Sequence, residues 1–331
     1  MPDSASPTNY RLGSLLSVFT AFLYSTQEPF SFPAAKHLST LQFVFLTQIA
    51  LLISIPLVTW RPASRRDFVA LIRDRSNYGR LAVIFAIGMT GLLLYNFGLS
   101  NAHPIIISVI LNLSPFWAAG VAYFLSRVPI PVSPTIFFGC FVGAFVGAMA
   151  VAWSQLGDAG KPTMGQLAEN FLHGSWVYAI PIPLCSALGG TLVGKWFARY
   201  EDSAAVAANF FAANLILIPT TVILLYRQSE LQFGDNPVAI ILMIAGTIIA
   251  SSVGRVIYQI ALTVTGGDNG FVTMFWNLVP GLTALVSLVL SWWIADLHFA
   301  ADPMFFFGLA LVVSSLVLFS LKSWRQPARQ P

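Results

Sequence analysis

The sequence predicts an all-α polytopic membrane protein, with ten transmembrane helices in two inverted five-helix repeats. Three observations point there. Hydrophobic residues make up 56% of the 331 residues, and mean hydropathy is +0.76. The 17 basic and 13 acidic side chains come to 9% of the chain, where soluble domains carry about 25%. The apolar residues fall in long blocks, and the blocks repeat halfway along. A water-facing surface of this size needs more charge, so a soluble enzyme, a nucleic-acid binder and a disordered scaffold are excluded despite a pI near 9.2.

A bilayer core of about 30 Å takes roughly 20 residues of helix. On that measure the spans are 12–30, 39–60, 81–101, 104–126, 133–155, 174–198, 204–226, 237–264, 270–294 and 303–321. Little is left between them. A tail of residues 1–11 precedes a first repeat over 12–155, an external loop follows at 156–173, a second repeat covers 174–321, and 322–331 form a C-terminal tail. The first ten residues are polar and lack the basic start and small-residue cleavage site of a removed signal peptide, so span one is expected to stay as a signal anchor. Cys140 and Cys185 both lie inside apolar blocks, which implies neither a disulfide framework nor a zinc site.

Orientation follows from Lys and Arg. With the N-terminus inside, twelve of them face the cytoplasm (six arginines in the loop between spans two and three alone) and three, Lys36, Lys161 and Arg227, face outward. Both termini are therefore expected in the cytoplasm, in the inner membrane. The net positive charge reports topology.

The repeat is read from four pairs of segments. Asn112-Leu113-Ser114-Pro115 in span four matches Asn277-Leu278-Val279-Pro280 in span nine, 165 residues later. Pro134 to Gly139 matches Pro303 to Gly308, Tyr95-Asn96 matches Tyr258-Gln259, and Ile55-Pro56 matches Ile218-Pro219, all at offsets between 163 and 169. A unit of five spans is odd, so the second copy sits upside down. Inverted repeats around a midplane site are the usual build of secondary transporters.

Ten spans in two five-span halves, each with a proline in its fourth helix and another opening its fifth, resemble the EamA branch of the drug/metabolite transporter superfamily over residues 12–321. The resemblance implies export or uptake of a small metabolite through a central cavity by alternating access. One departure stands out: members of that family commonly end the fourth and ninth spans with a Glu, and here those places read Ser126-Arg127 and Ala295-Asp296.

Within the spans only Glu28, Lys195 and Arg255 are charged. Such a group at membrane depth costs at least about 2.5–3.5 kcal/mol and usually faces a cavity or a partner. Lys195 lies roughly 5–8 Å below its end and can snorkel; Arg255 lies roughly 13 Å down, close to the midplane. Ser251, Arg255 and Gln259 recur at every fourth residue with Ser252 and Tyr258 beside them, a polar stripe expected to line an aqueous cavity where Arg255 meets an anionic group of the substrate. The alternative is an ion pair with Glu28 or with helix-end carbonyls. Asn112 and Asn277 sit beside proline breaks, either opposite each other to bind substrate or satisfying their own broken backbone. Tyr95, Asn96, Tyr258, Gln259 and Trp276 complete the expected substrate-binding set. Glu28 and Lys195 are the expected proton-coupling or ion-pair residues. Gly139, Gly143 and Gly147, with Gly190 and Gly194, read as helix-packing surfaces.

No nucleophile elbow, metalloprotease motif or phosphate loop occurs in the sequence, and no catalytic residue, metal or cofactor is expected. The expected function is secondary transport, without ATP, of a small metabolite, an amino acid or other carboxylate-bearing solute. Its partners are that solute, the lipid bilayer and a coupling proton, with no nucleic acid, and the chain acts as a monomer or homodimer. Two other readings stay open: a membrane-integral enzyme on a lipid-linked substrate, and a non-transporting sensor or assembly partner.

Overall fold

The computed structural model describes residues 9–126, 130, 132–154, 179–233, 236–265, 269–299 and 301–324. The chain is an all-α membrane protein, and the described residues contain no strand. Its helices are α1 (Tyr10–Ser25), α2 (Gln27–His37), α3 (Thr40–Val58), α4 (Pro62–Arg73), α5 (Tyr78–Asn101), α6 (Pro104–Leu111), α7 (Ser114–Ser126) and α8 (Pro134–Ser154). There follow α9 (Ile182–Trp196), α10 (Asp202–Arg227), α11 (Pro237–Ile248), α12 (Arg255–Val264), α13 (Asn269–Met274), α14 (Val279–Leu290) and α15 (Pro303–Trp324). Eight stretches among them are long and apolar enough to cross a bilayer. These eight correspond to the expected spans two to five and seven to ten. The other two fall on the α1–α2 pair and on the 15-residue α9. The expected external loop 156–173, the start of span six, Arg127, Lys161 and the last residues of the C-terminal tail lie outside the described residues.

Three prolines accompany helix breaks, while Pro33, Pro56 and Pro219 lie inside continuous helices. Pro29 has no N–H for the carbonyl four residues back, at Ser25, and the chain turns at Thr26 between α1 and α2. The freed Ser25 carbonyl accepts a bond from Thr283 Oγ1 of α14 at 3.4 Å, and Thr283 is itself 2.9 Å from Ser108 Oγ of α6. A polar thread thus ties three helices at a point where lipid could satisfy none of these groups. The two expected N-L-x-P kinks are also present: Asn112-Leu113 form the turn between α6 and α7, and a 3₁₀ segment, Phe275–Leu278, precedes α14. A third irregularity was not legible. Between α11 and α12 the helix widens into a π segment, Ile249–Gly254, directly before Arg255.

Helix ends gather at two faces. At one, Asn9 N–H bonds the Val264 carbonyl at 2.8 Å, Ser64 meets Ser203 at 2.8 Å, and Lys195 Nζ meets the Leu125 carbonyl at 3.4 Å. Arg61, Arg65, Arg66, Arg73 and Arg199 lie at this face. At the other, Ser39 donates to Glu230 at 2.5 Å, His37 pairs with Asp296 at 3.5 Å, and His103 Nε2 lies 3.2 Å from the Leu297 carbonyl.

Two packing modes hold the bundle. α11 lies on α2 and α3, α12 on α1, and α5 on α9 and α10, so elements from the two ends of the chain interleave. Apart from this, α8 and α15 form an antiparallel pair at backbone distance: a Cβ on Gly147 would lie 2.6 Å from the Gly308 carbonyl oxygen, and the converse holds equally. Gly143 packs on the same partner, against Ser315. Gly139, Gly190 and Gly194 depart from the expected packing role, since a Cβ on any of them meets nothing within 4 Å.

Candidate functional site

A cavity of about 520 Å³ lies between α5, α9 and α10, walled by Gly88, Gly91, Gly189 and Gly190 and carrying the polar groups Ser186, Asn209, Asp202 and Arg255. Gly88 and Gly190 give it width, because a Cβ on either would meet nothing within 4 Å, whereas Gly91 lies against Cys185 of α9. Its charged edge is at the arginine-rich face, where Asp202 opens α10. At the opposite face Tyr95, Leu99, Ile106, Ala179, Ile182 and Leu297 belong to one buried apolar cluster.

Arg255 is the charged centre of this site. Its guanidinium pairs with the Asp202 carboxylate; the arginine side chain is 17% exposed and the aspartate 62%. The ring of Tyr258 lies 5.2 Å from the guanidinium carbon, and the Tyr24 hydroxyl faces the same group. Trp276 packs against both tyrosines at ring separations of 5.3 Å, edge-on to Tyr24 and tilted to Tyr258. Two donors stay without partners, Arg255 Nε and Trp276 Nε1. Aromatic faces strengthen a cation's hold without neutralising it, so the guanidinium keeps its capacity for a second carboxylate.

Of the expected set, Arg255, Tyr258 and Trp276 come together. The polar stripe does not hold as drawn. Ser251 sits in the π segment, donates to the Thr247 carbonyl and lies 3.4 Å from Ser54 of α3, away from the cavity lining. A regular 3.6-residue period does not survive the extra residue of a π turn. Gln259 is half-buried with its side-chain amide oxygen unpartnered.

The expected ion pairs also change. Arg255 takes Asp202 as partner, and Lys195 bonds a helix-end carbonyl. Glu28 enters no ion pair among the described residues and is 6% exposed, with Oε2 unpartnered. Its neighbourhood is a second polar group: Tyr95 lies beside Ser31 and within electrostatic reach of Glu28, and Asn96 is buried next in sequence with a free amide donor. Tyr95 and Asn96 thus belong with Glu28 rather than with Arg255. The two asparagines of the repeat do different work. Asn112 donates to the Ser108 carbonyl of its own helix at 2.8 Å, an oxygen that also accepts the Asn112 backbone N–H, whereas Asn277 reaches α15, donating to Ser320 Oγ at 2.8 Å and the Leu316 carbonyl at 3.2 Å. Neither amide spends its donors on the cavity.

Tyr24 and Asp202 are the site residues that sequence reasoning missed. Asp202 is a first-turn acid, an ordinary helix-start signal, and its partner is 53 residues away. Nothing local marks it.

No family model and no curated protein matches this chain. Nine solved chains match in fold. One of them superposes with a TM-score of 0.58 at 15% sequence identity, covering 93% of this chain and 96% of its own. The likeness shows that the whole fold recurs among solved structures.

Proposed function

We propose that the protein is a secondary transporter of a small carboxylate-bearing solute, with ten crossings in two inverted five-helix halves and kinship to the EamA branch of the drug/metabolite transporters. One observation carries the reading: a cavity of about 520 Å³ has a single arginine, Arg255, paired with an exposed acid at one face of the bundle, while a buried apolar cluster lies at the opposite face, and we take the cavity to open at the first face only. A site open to one side only is one state of an alternating-access cycle. By the Lys/Arg distribution the open side is the cytoplasm of the inner membrane. The alternation of helix ends between the two faces supports ten crossings, and the matched N-L-x-P breaks and interleaved packing support the two halves. In this reading the substrate carboxylate takes the place of Asp202 on Arg255, bidentate and partly desolvated. Glu28 is the coupling carboxylate.

A thermal-shift screen of purified protein against a metabolite library tests the substrate class, since a bound ligand raises stability by mass action. Carboxylates are expected among the hits. Arg255→Ala is expected to weaken their binding by roughly 10- to 100-fold, the worth of a hydrogen bond to a charged group, and to abolish counterflow in proteoliposomes. An Arg255→Ala protein with unchanged affinity and flux would sink the proposal.

A further inference from the structure

The face of α4 turned away from the bundle has no role in the site described above. The helix connects to α3 through three residues and to α5 through four, so its ends stay within about 15 Å of the apolar stretches that flank it. That tether keeps it at the membrane surface. Its inner face docks through Ser64, Phe68, Leu71 and Ile72 onto Phe197, Ala205 and Ala208. Its outer face, at helical spacing, presents Arg65, Arg66, Val69, Ala70 and Arg73, all exposed, with Trp60 and Tyr78 exposed at its two flanks. Among the described residues none of these three arginines enters an ion pair, although Arg65 donates through Nε to the Thr59 carbonyl at 3.0 Å. Cations around a small apolar strip, flanked by aromatics, are the composition of a helix that lies in a lipid interface.

The inner face of α4 is bonded to the start of α10. Ser64 donates to the Glu201 carboxylate and meets Ser203 Oγ at 2.8 Å, and Asp67 accepts the Glu201 backbone N–H at 2.8 Å. Asp202, the partner of Arg255 at the edge of the cavity, lies between the two residues so held.

We infer that the outer face of α4 is a binding site for anionic phospholipid headgroups of the adjoining leaflet, and that occupancy of this site is transmitted through Ser64 and Asp67 to the 201–203 turn and so to the mouth of the cavity. The phosphate of the lipid meets Arg65, Arg66 and Arg73, and its acyl chains continue past Val69. The inference goes beyond the transport reading and needs only that the chain sits in a membrane.

The test uses the purified full chain in neutral detergent, titrated with phosphatidylglycerol or phosphatidylcholine. Phosphatidylglycerol is expected to raise Tm and phosphatidylcholine to leave it unchanged. Each arginine near an anionic surface is worth roughly a fivefold change in affinity. Arg66→Gln should therefore shift the phosphatidylglycerol midpoint about fivefold and R65Q/R66Q/R73Q about a hundredfold, while the triple Lys variant keeps most of the effect. A Tm gain equally produced by phosphatidylcholine or by soluble glycerol phosphate, or retained in the Gln variants, overturns the site. The second arm reads the cavity through Cys185, which lines it, in a Cys140→Ala background. Phosphatidylglycerol is expected to change the maleimide labelling rate at least twofold, and Ser64→Ala to remove that change without altering lipid affinity. Lipid binding with labelling unchanged overturns the transmission. Neither readout involves a solute, so a failed transport assay leaves this site standing, and its own failure leaves the transport reading untouched.

Discussion

The contact between α8 and α15 and the cavity among α5, α9 and α10 are built from the same residue and used in opposite ways. At Gly147 and Gly308 the missing side chain lets two backbones touch. At Gly88 and Gly190 the missing side chain leaves open space that joins the cavity. Glycines at helical spacing therefore mark a place where two helices need room. Whether a neighbour or water takes that room depends on which helix lies opposite. One region is a close backbone contact and the other is open space, which in the transport reading proposed above would admit the solute.

That contrast is sharpest in substitutions, beginning with the largest effect. Gly147→Val drives side-chain carbons into the Gly308 carbonyl, an obstacle that cannot rotate away. It is expected to cost about 1–3 kcal/mol or more, seen as a marked fall in Tm and in folded yield. Gly190→Val meets no atom within 4 Å at Cβ, so Tm should hold or rise slightly, since valine is the better helix former. Solute affinity should fall several-fold as the cavity narrows. If both variants lose stability alike, the distinction between close contact and open space is wrong.

Glu28→Gln sharpens the comparison at the second polar group, outside the cavity lining. The carboxyl is buried without an ionic partner, so an amide of equal size should keep or raise Tm while flux ceases to respond to an imposed pH gradient. Flux that still follows the gradient would remove Glu28 from coupling. The smallest change is expected at the surface, away from both regions. Hydrogen bonds from Ser76, and secondarily the Arg199 guanidinium, hold the Asp74 carboxyl below its usual range. Such a group contributes stability above its unfolded pKa and loses it as pH falls through its folded one, below about 4. Asp74→Asn should leave Tm at neutral pH nearly unchanged and flatten the acid side of the Tm profile. As an exposed pair, Asp74–Arg199 contributes little.

Much of the bundle was legible, and the illegible parts share a cause. The prolines at 29, 115 and 280 mark breaks because a missing N–H acts on its own helix, within four residues. The π segment before Arg255 left no such mark. Arg255 was recognisable because charge at depth is costly wherever it falls. Its partner was not, because Asp202 reads as a plain helix start until α10 is packed beside α12. The two asparagines carry the warning: equal motifs in the two halves met different neighbours, Ser108 for one and α15 for the other.

By itself the sequence determined the all-α membrane class, the breaks at Pro115 and Pro280 and the presence of a costly cation at Arg255, because each follows from local chemistry: apolar run length, proline, and the solvation of charge. The tertiary structure alone decided that Arg255 meets Asp202 among tyrosines, that Glu28 stays unpaired beside Tyr95, and that some glycines close a contact while others open a cavity. Those outcomes depend on which helices pack together, and packing joins residues that share no neighbourhood in the chain.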